Sequence, residues 1–455
     1  MKIIPSSRRR RYAARIGIFL VTAALIAGMV GCDDTTQNLE IRDWYDLDAI
    51  RDNLSGNYTL MNDIDSTTAG YDELASPTAN GGKGWEPIGI LGGDASFTGT
   101  FDGQGYEIRD LFINRPDQIR IGLFGMIDFG AVMKNLGVVN VTVIGDRLVG
   151  GLVGLNDGTI SNSYSTGSMT GNDEVGGLVG RHSWGALHNC YSIASVTGEE
   201  DVGGLVGRNE ATTVDDSYCR GTVSDSYSRG NVTGQSSVGG LVGATDHHIM
   251  VENSYSGGSV TGNNNVGGLV ALDEFSTVSN SYSTASVTGS SNVGGLVGQN
   301  YDGTISNSYS TGNVTGNEDV GGLVGLKQGG TVSNSYSTGN VTGDERVGGL
   351  VGYTYYGTMS NSYSTGSVTG NSSVGGLVGR NDYGTVNGSF WDTETSGQAT
   401  SDGGTGKNTT EMQDIATFSG AAWDITAVAN PSTRNSSYIW NIVDDETYPF
   451  LSWQP

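Results

Sequence analysis

A Gly-Gly-Leu-Val phrase recurs nine times in this chain, with its leucine at 152, 178, 205, 241, 269, 296, 323, 350 and 377. The intervals are 26, 27, 36, 28, 27, 27, 27 and 27 residues. A fixed period of roughly 20–50 residues marks a stack of like units, because one such unit cannot bury its apolar face alone. The unit from Val293 to Asn317 reads VGGLVGQNYDGTISNSYSTGNVTGN. Three β-favouring pieces are predicted in it, Val293–Gly298, Thr304–Ser310 and Asn313–Thr315, with Gly, Asn and Asp supplying the turns. None has helical periodicity. Stacked coils pair each piece with its counterpart at about 4.8 Å. The expected fold is all-β: a single-stranded parallel β-helix, or solenoid, with 27 residues in most coils. The 74 glycines lack a three-residue period, which excludes collagen.

The ladder positions follow from the register. Tyr164, Tyr191, Tyr218 or Tyr227, Tyr255, Tyr282, Tyr309, Tyr336 and Tyr363 are equivalent, and Phe390 takes the next place. An internal aromatic stack is the preferred reading over a surface stripe, since Phe390 drops the hydroxyl. The 36-residue interval duplicates one side of a coil: Thr213 to Tyr218 is followed by the similar Thr222 to Tyr227. An extruded loop or bulge is expected there, with either copy in the stack. Cys190 and Cys219 fall one coil apart and two residues out of step, roughly 8 Å between Cα atoms and too far for a disulfide.

The ends depart from the pattern, as they must to cover an open core. The divisions read as 1–31, a signal segment; 32–40, a tether; 41–118, an N-terminal cap with the first strands; 119–392, the coils; and 393–455, a C-terminal cap. A short helix is expected from Leu47 to Leu54 and a strand from Tyr58 to Ile64.

Residues 1–31 hold six basic residues and no acids. The remainder carries 17 basic and 48 acidic residues, a net charge of −31. That acidity argues against a nucleic-acid partner, which needs a basic face. Arginines, the apolar stretch Ile16 to Val30 and then Met29-Val30-Gly31-Cys32 resemble a bacterial lipoprotein signal. Lipidation of Cys32 and membrane attachment through it are expected.

The Val-Gly-Gly-Leu-Val-Gly, Gly-Thr-Ile-Ser-Asn-Ser-Tyr-Ser and Val-Thr-Gly series resembles the GLUG-motif repeat family of bacterial surface and adhesin-like proteins. The flanks Trp85-Glu86-Pro87-Ile88-Gly89 and Ser389-Phe390-Trp391-Asp392 are similar too. The resemblance implies a cell-surface repeat protein, with no shared catalytic residues to carry over.

The residues themselves show no catalytic constellation. The four histidines, His182, His188, His247 and His248, lack a His-Glu-x-x-His arrangement. Gly403 to Asn408 lacks the glycine and the Ser or Thr of a phosphate loop. Acids gather at one turn: Asp173, Glu174, Glu199, Glu200, Asp201, Glu318, Asp319, Asp344 and Glu345. Stacking makes two clusters of them, readable as calcium sites or as a solvated edge that blocks aggregation. A second turn, after the ladder leucine, carries Trp184, Phe275, Tyr301, Tyr355, Tyr356 and Tyr383, the expected ligand-contact residues. The function expected is a non-enzymatic, lipid-anchored, monomeric surface protein that binds glycan or protein surfaces. A carbohydrate-active β-helix enzyme and a passive envelope spacer are the alternatives.

Overall fold

The computed structural model describes residues 38–89, 95–210, 212–214, 217–219 and 221–454, so Cys32 lies outside the described part. These residues build a parallel β-solenoid. A regular coil carries five short strands: Ser291–Gly294, Val297–Tyr301, Thr304–Ser306, Tyr309–Ser310 and Val314–Thr315. Each pairs in parallel with its equivalent one coil on, Val293 with Val320, Val297 with Val324, Ile305 with Val332, Tyr309 with Tyr336 and Val314 with Val341. One ladder of thirteen strands runs from Leu39–Ile41 to Thr385–Asn387, and two ladders of ten strands run beside it.

The expected single strand Val293–Gly298 is two strands of different ladders. Gly295-Leu296 forms the corner between them. A β-carbon on Gly295 would overlap the Gly322 carbonyl of the next coil and the Ser310 hydroxyl, so only glycine lets the coils approach this closely. The leucine that follows is fully buried in all nine copies.

The tyrosines do stack, but on the outside. Successive rings from Tyr164 to Tyr363 lie 4.6–5.0 Å apart and within 6° of parallel. Strand alternation decides their side: Ser310, next to Tyr309, is buried inside the coil, so the ring points out. Tyr309, Tyr336, Tyr363 and Phe390 are covered by the C-terminal segment, where Met412, Phe418, Trp423, Trp440, Ile442 and Leu451 form an aromatic-rich cluster separate from the solenoid core. Most of the expected C-terminal cap thus lies along the flank. The end of the stack is closed by residues near Ser401, whose hydroxyl accepts from the Leu377 and Val378 N–H groups, and by Trp391, which joins the core.

Of the duplicated segments, the second stays in register. Thr222–Ser224 pairs with Ala186–His188 and Met250–Glu252, and Tyr227 stacks between Tyr191 and Tyr255. The first copy is extruded as an antiparallel hairpin, Thr212–Val214 against Ser217–Cys219. Cys190 fills the slot of a serine ladder: its N–H donates to Ser226 Oγ at 3.1 Å, as Ser281 N–H does to Ser308 Oγ at 3.2 Å. It is a free thiol, pushed up to about 12 by burial.

At the N-terminal end the helix begins earlier than expected. Asp43 caps it, its carboxylate accepting from the Asp46 N–H, and Trp44–Asp48 is followed by a 3-10 turn at Ala49–Asp52. The strand is Asn57–Leu60; Ile64 makes only an isolated bridge to Ile108. Trp44, Trp85, Phe97, Phe101 and Phe124 fill this end of the core through tilted and edge-on ring contacts.

Candidate functional site

Two outer corners of the coil bracket the Gly-Gly-Leu-Val phrase, and the structure treats them differently. At the acidic corner, stacking does gather the carboxylates, but arginine lies among them. Arg147 reaches Asp173 at 2.7 Å and Glu174 at 3.4 Å, and Arg181 also pairs with Glu174. Arg208 reaches Asp201 at 2.7 Å and Asp246 at 3.2 Å. Arg346 pairs with Glu318, Asp319 and Glu345, the last at 2.8 Å. These guanidinium groups supply positive charge among the carboxylates, where calcium is one of the two readings beside a solvated edge, and among the described residues no group of three or more His, Cys, Asp or Glu is placed to hold a metal ion. Glu199, Glu200 and Asp344 stay exposed at the rim. The sequence could have shown this: Arg181 and Arg208 occupy equivalent ladder places, and Arg346 falls directly after an acid of the cluster. We expect Arg346→Gln to lower the thermal midpoint in calcium-free buffer and to make that midpoint rise with millimolar calcium. The unsubstituted chain should show no such rise in differential scanning fluorimetry.

The other corner is aromatic and exposed. It resolves into three groups. Trp184 meets Phe129 edge-on at 5.7 Å. Phe275 lies between His247 at 6.0 Å and Tyr301 at 5.2 Å. Tyr355, Tyr356 and Tyr383 form the third, with Tyr356 stacked on Tyr383 at 5.2 Å and meeting Tyr355 at 4.5 Å. Tyr353 adjoins this last group beneath the guanidinium groups of Arg346 and Arg380. Tyr383 is 77% exposed and Tyr356 49%. Phe129 belongs here too, at 71% exposure, and sequence reasoning missed it because its coil departs from the repeat.

One slot in this corner adopts left-handed backbone in coil after coil. Its occupants are His247 (φ 56°), Phe275 (53°), Asp302 (52°), Gly329 (72°), Tyr356 (64°) and Tyr383 (66°). Gly and Asp suit that conformation; bulky aromatic residues are strained in it by about 1 kcal/mol or more. These strained rings sit at exposed positions, where filling the core does not demand them.

The histidines do not converge. His182 is buried, bonded through Nδ1 to Asn156 Nδ2 at 2.9 Å and pushed down to about 4 by its surroundings. His188 Nδ1 lies 3.0 Å from Ser224 Oγ and 3.1 Å from Asp225. An interior polar ladder also escaped the sequence reading. Asn156, His182, Asn209, Thr245, Asp273, Asn300, Lys327 and Thr354 succeed one another inside the stack, all essentially fully buried. Lys327 Nζ donates to the carbonyls of Gly329 at 2.6 Å, Gly330 at 3.1 Å and Tyr356 at 3.2 Å, so it braces the aromatic corner from within.

The GLUG motif matches residues 145–170, 198–233, 289–315, 316–342 and 343–369. The chain is similar to halomucin of Haloquadratum walsbyi, with 38% identity over 162 residues, 34% of this chain and 2% of that protein. It is also similar to a protein of Evansella cellulosilytica provisionally named a Gly-rich membrane protein, with 39% identity over 173 residues, 30% of this chain and 19% of that one. The chain therefore spans only a small part of these curated relatives. A solved structure from Bacteroides ovatus, provisionally assigned as an immunoglobulin A1 protease, is similar at 21% identity and a TM-score of 0.42, over 61% of this chain and 76% of that one. The five motif matches fall on coils that stack in one register, so the chain carries GLUG motif repeats within a parallel β-solenoid.

Proposed function

We propose that this protein is a non-catalytic scaffold of the cell envelope, anchored through lipid on Cys32, whose aromatic corner contacts glycan or protein surfaces. The observation that carries the reading is the left-handed, solvent-facing placement of Phe275, Tyr356 and Tyr383. A fold that uses Asp or Gly at the same slot elsewhere retains strained rings where they do not fill the core. The names of the two relatives, halomucin and a Gly-rich membrane protein, are in keeping with an envelope location.

Tyr356→Asn plus Tyr383→Asn separates stability from contact. Asparagine already holds left-handed backbone at the neighbouring Asn280 and Asn307 corners. The double variant should therefore match or exceed the parent in stability, by up to about 1 kcal/mol per site, while binding on an array of glycans and extracellular proteins falls at least tenfold. Retained binding would sink the corner as a contact surface, and turnover of an acidic polysaccharide would sink the non-catalytic reading. Globomycin-sensitive processing that disappears in Cys32→Ser tests the anchor.

A further inference from the structure

Where the C-terminal segment crosses the flank of the solenoid it leaves an open groove of 240 Å³, remote in sequence from the aromatic corner. Its floor is the paired asparagines Asn280 and Asn307; its walls include Asp424, Ser437, Tyr438 and Trp453. The asparagines occupy the same place in successive coils, both with left-handed backbone at φ 47° and 48°, so their amides repeat along the axis at about 4.8 Å. Trp453 is fixed: its indole N–H donates to the Asn307 carbonyl at 3.1 Å, and its ring packs 5.9 Å from Tyr309 and 6.4 Å from Tyr282. Tyr438 is 39% exposed. Asp424 accepts from the Ile439 N–H at 3.1 Å and retains acceptor capacity.

The Asn307 side-chain oxygen is shielded and has no hydrogen-bond partner. Shielded acceptors are normally satisfied.

We propose that this groove binds a single neutral sugar unit. Two aromatic rings present apolar surface to the C–H face of a pyranose, while two amides, a carboxylate and a serine hydroxyl accept from and donate to its hydroxyls. The volume falls below the roughly 300 Å³ at which drug-sized sites begin, which suits one ring. No Lys or Arg lines the groove, and Asp424 repels an anion, so uronic, sialic and sulfated sugars are disfavoured. The asparagine ladder continues past the groove through Asn334 and Asn361, so further units of a chain would run along the solenoid axis.

The site is independent of the aromatic corner, and the test keeps the two apart. The full chain, purified in mild detergent, is titrated by saturation-transfer NMR with methyl glycosides of glucose, galactose, mannose and N-acetylglucosamine, and with methyl glucuronide. At least one neutral glycoside should bind with a dissociation constant of about 1–10 mM. Tyr438→Ala should weaken it at least tenfold and Asn280→Ala several-fold, with Tyr438→Phe retaining it and Tyr356→Asn plus Tyr383→Asn leaving it unchanged. No saturable binding of any neutral glycoside, binding indifferent to both groove variants, or preference for the glucuronide would each overturn the proposal. Circular dichroism and the tyrosine-ladder ring signals establish that the variants are folded. Loss of array binding in the corner variants with groove binding intact would bear on the corner alone.

Discussion

Gly322→Val should unfold the central coils, with a stability loss of more than about 4 kcal/mol. Every kilocalorie of that comes from the corner geometry. A β-carbon at Gly322 would overlap the Gly349 carbonyl oxygen and the Ser337 hydroxyl, and the former is backbone that cannot rotate away. Relief requires the two coils to separate, which breaks the Leu323 to Leu350 ladder contacts and the hydrogen bond from the Leu323 N–H to the Leu350 carbonyl at 2.8 Å. Gly316→Ala is the control, since the nearest atoms to its added carbon are side-chain atoms, the Val320 and Val293 methyl groups at 2.8 and 2.9 Å and the Val293 Cβ at 3.2 Å, rather than backbone. Solenoids lose structure locally, coil by coil, so the measurement is limited proteolysis followed by mass mapping of the cuts. Cleavage should concentrate between residues 296 and 350 in Gly322→Val and be near parent level in Gly316→Ala. A valine variant as resistant as the parent would show that the corner has slack the stacking geometry denies.

Asp273→Asn should stabilise the protein at pH 7 by as much as about 3 kcal/mol, an upper value set by the rise of its carboxyl to about 6 in the folded chain. Asp273 is fully buried in the interior polar ladder, and burial pushes its carboxyl up to about 6 against hydrogen bonds from Thr245 and Asn300. A carboxyl whose folded value is raised binds its proton more tightly in the folded chain. Its favourable contribution is complete below about pH 4, and is lost as pH rises through 4 to 6. Asparagine removes the charge and can keep both side-chain bonds: its oxygen can accept from Asn300 Nδ2, now 2.7 Å from a carboxylate oxygen, and its amide can donate to the Thr245 hydroxyl. Urea denaturation of the two chains should give midpoints that coincide near pH 4 and diverge in favour of the variant by pH 7. Equal midpoints at both pH values would mean that Asp273 is not penalised by its burial.

The period made the stack, its register and the buried leucines legible, because each is set by identity at fixed spacing. The corner at Gly295-Leu296 was harder to see. Val293 to Gly298 is uniformly small and apolar, and periodicity within six such residues cannot distinguish a bent segment from a straight one. Phe390 in the tyrosine series, lacking the hydroxyl, favours an internal stack, while the alternation of Ser308, Tyr309 and Ser310 argues outward. Alternation wins in a strand this short because small serines fit on the inner side, one of them with a local partner: Ser308 Oγ donates to the Ser306 carbonyl at 2.8 Å. The asparagines of the groove read as turn residues, which they are. Their second use depends on the C-terminal segment arriving beside them, a contact 146 residues away in sequence between Trp453 and Asn307. No local pattern encodes that meeting. The interior polar ladder hid for a related reason: its members share a place but no chemistry, from His182 through Asp273 to Lys327.

The extruded hairpin carries one further consequence. Ala186 pairs with Thr222 across 36 residues as faithfully as Thr304 pairs with Thr331 across 27. What a coil conserves is therefore phase, not length. Foreign sequence spliced between Thr212 and Cys219 should leave the stack undisturbed, making that hairpin a natural graft point for displaying a peptide.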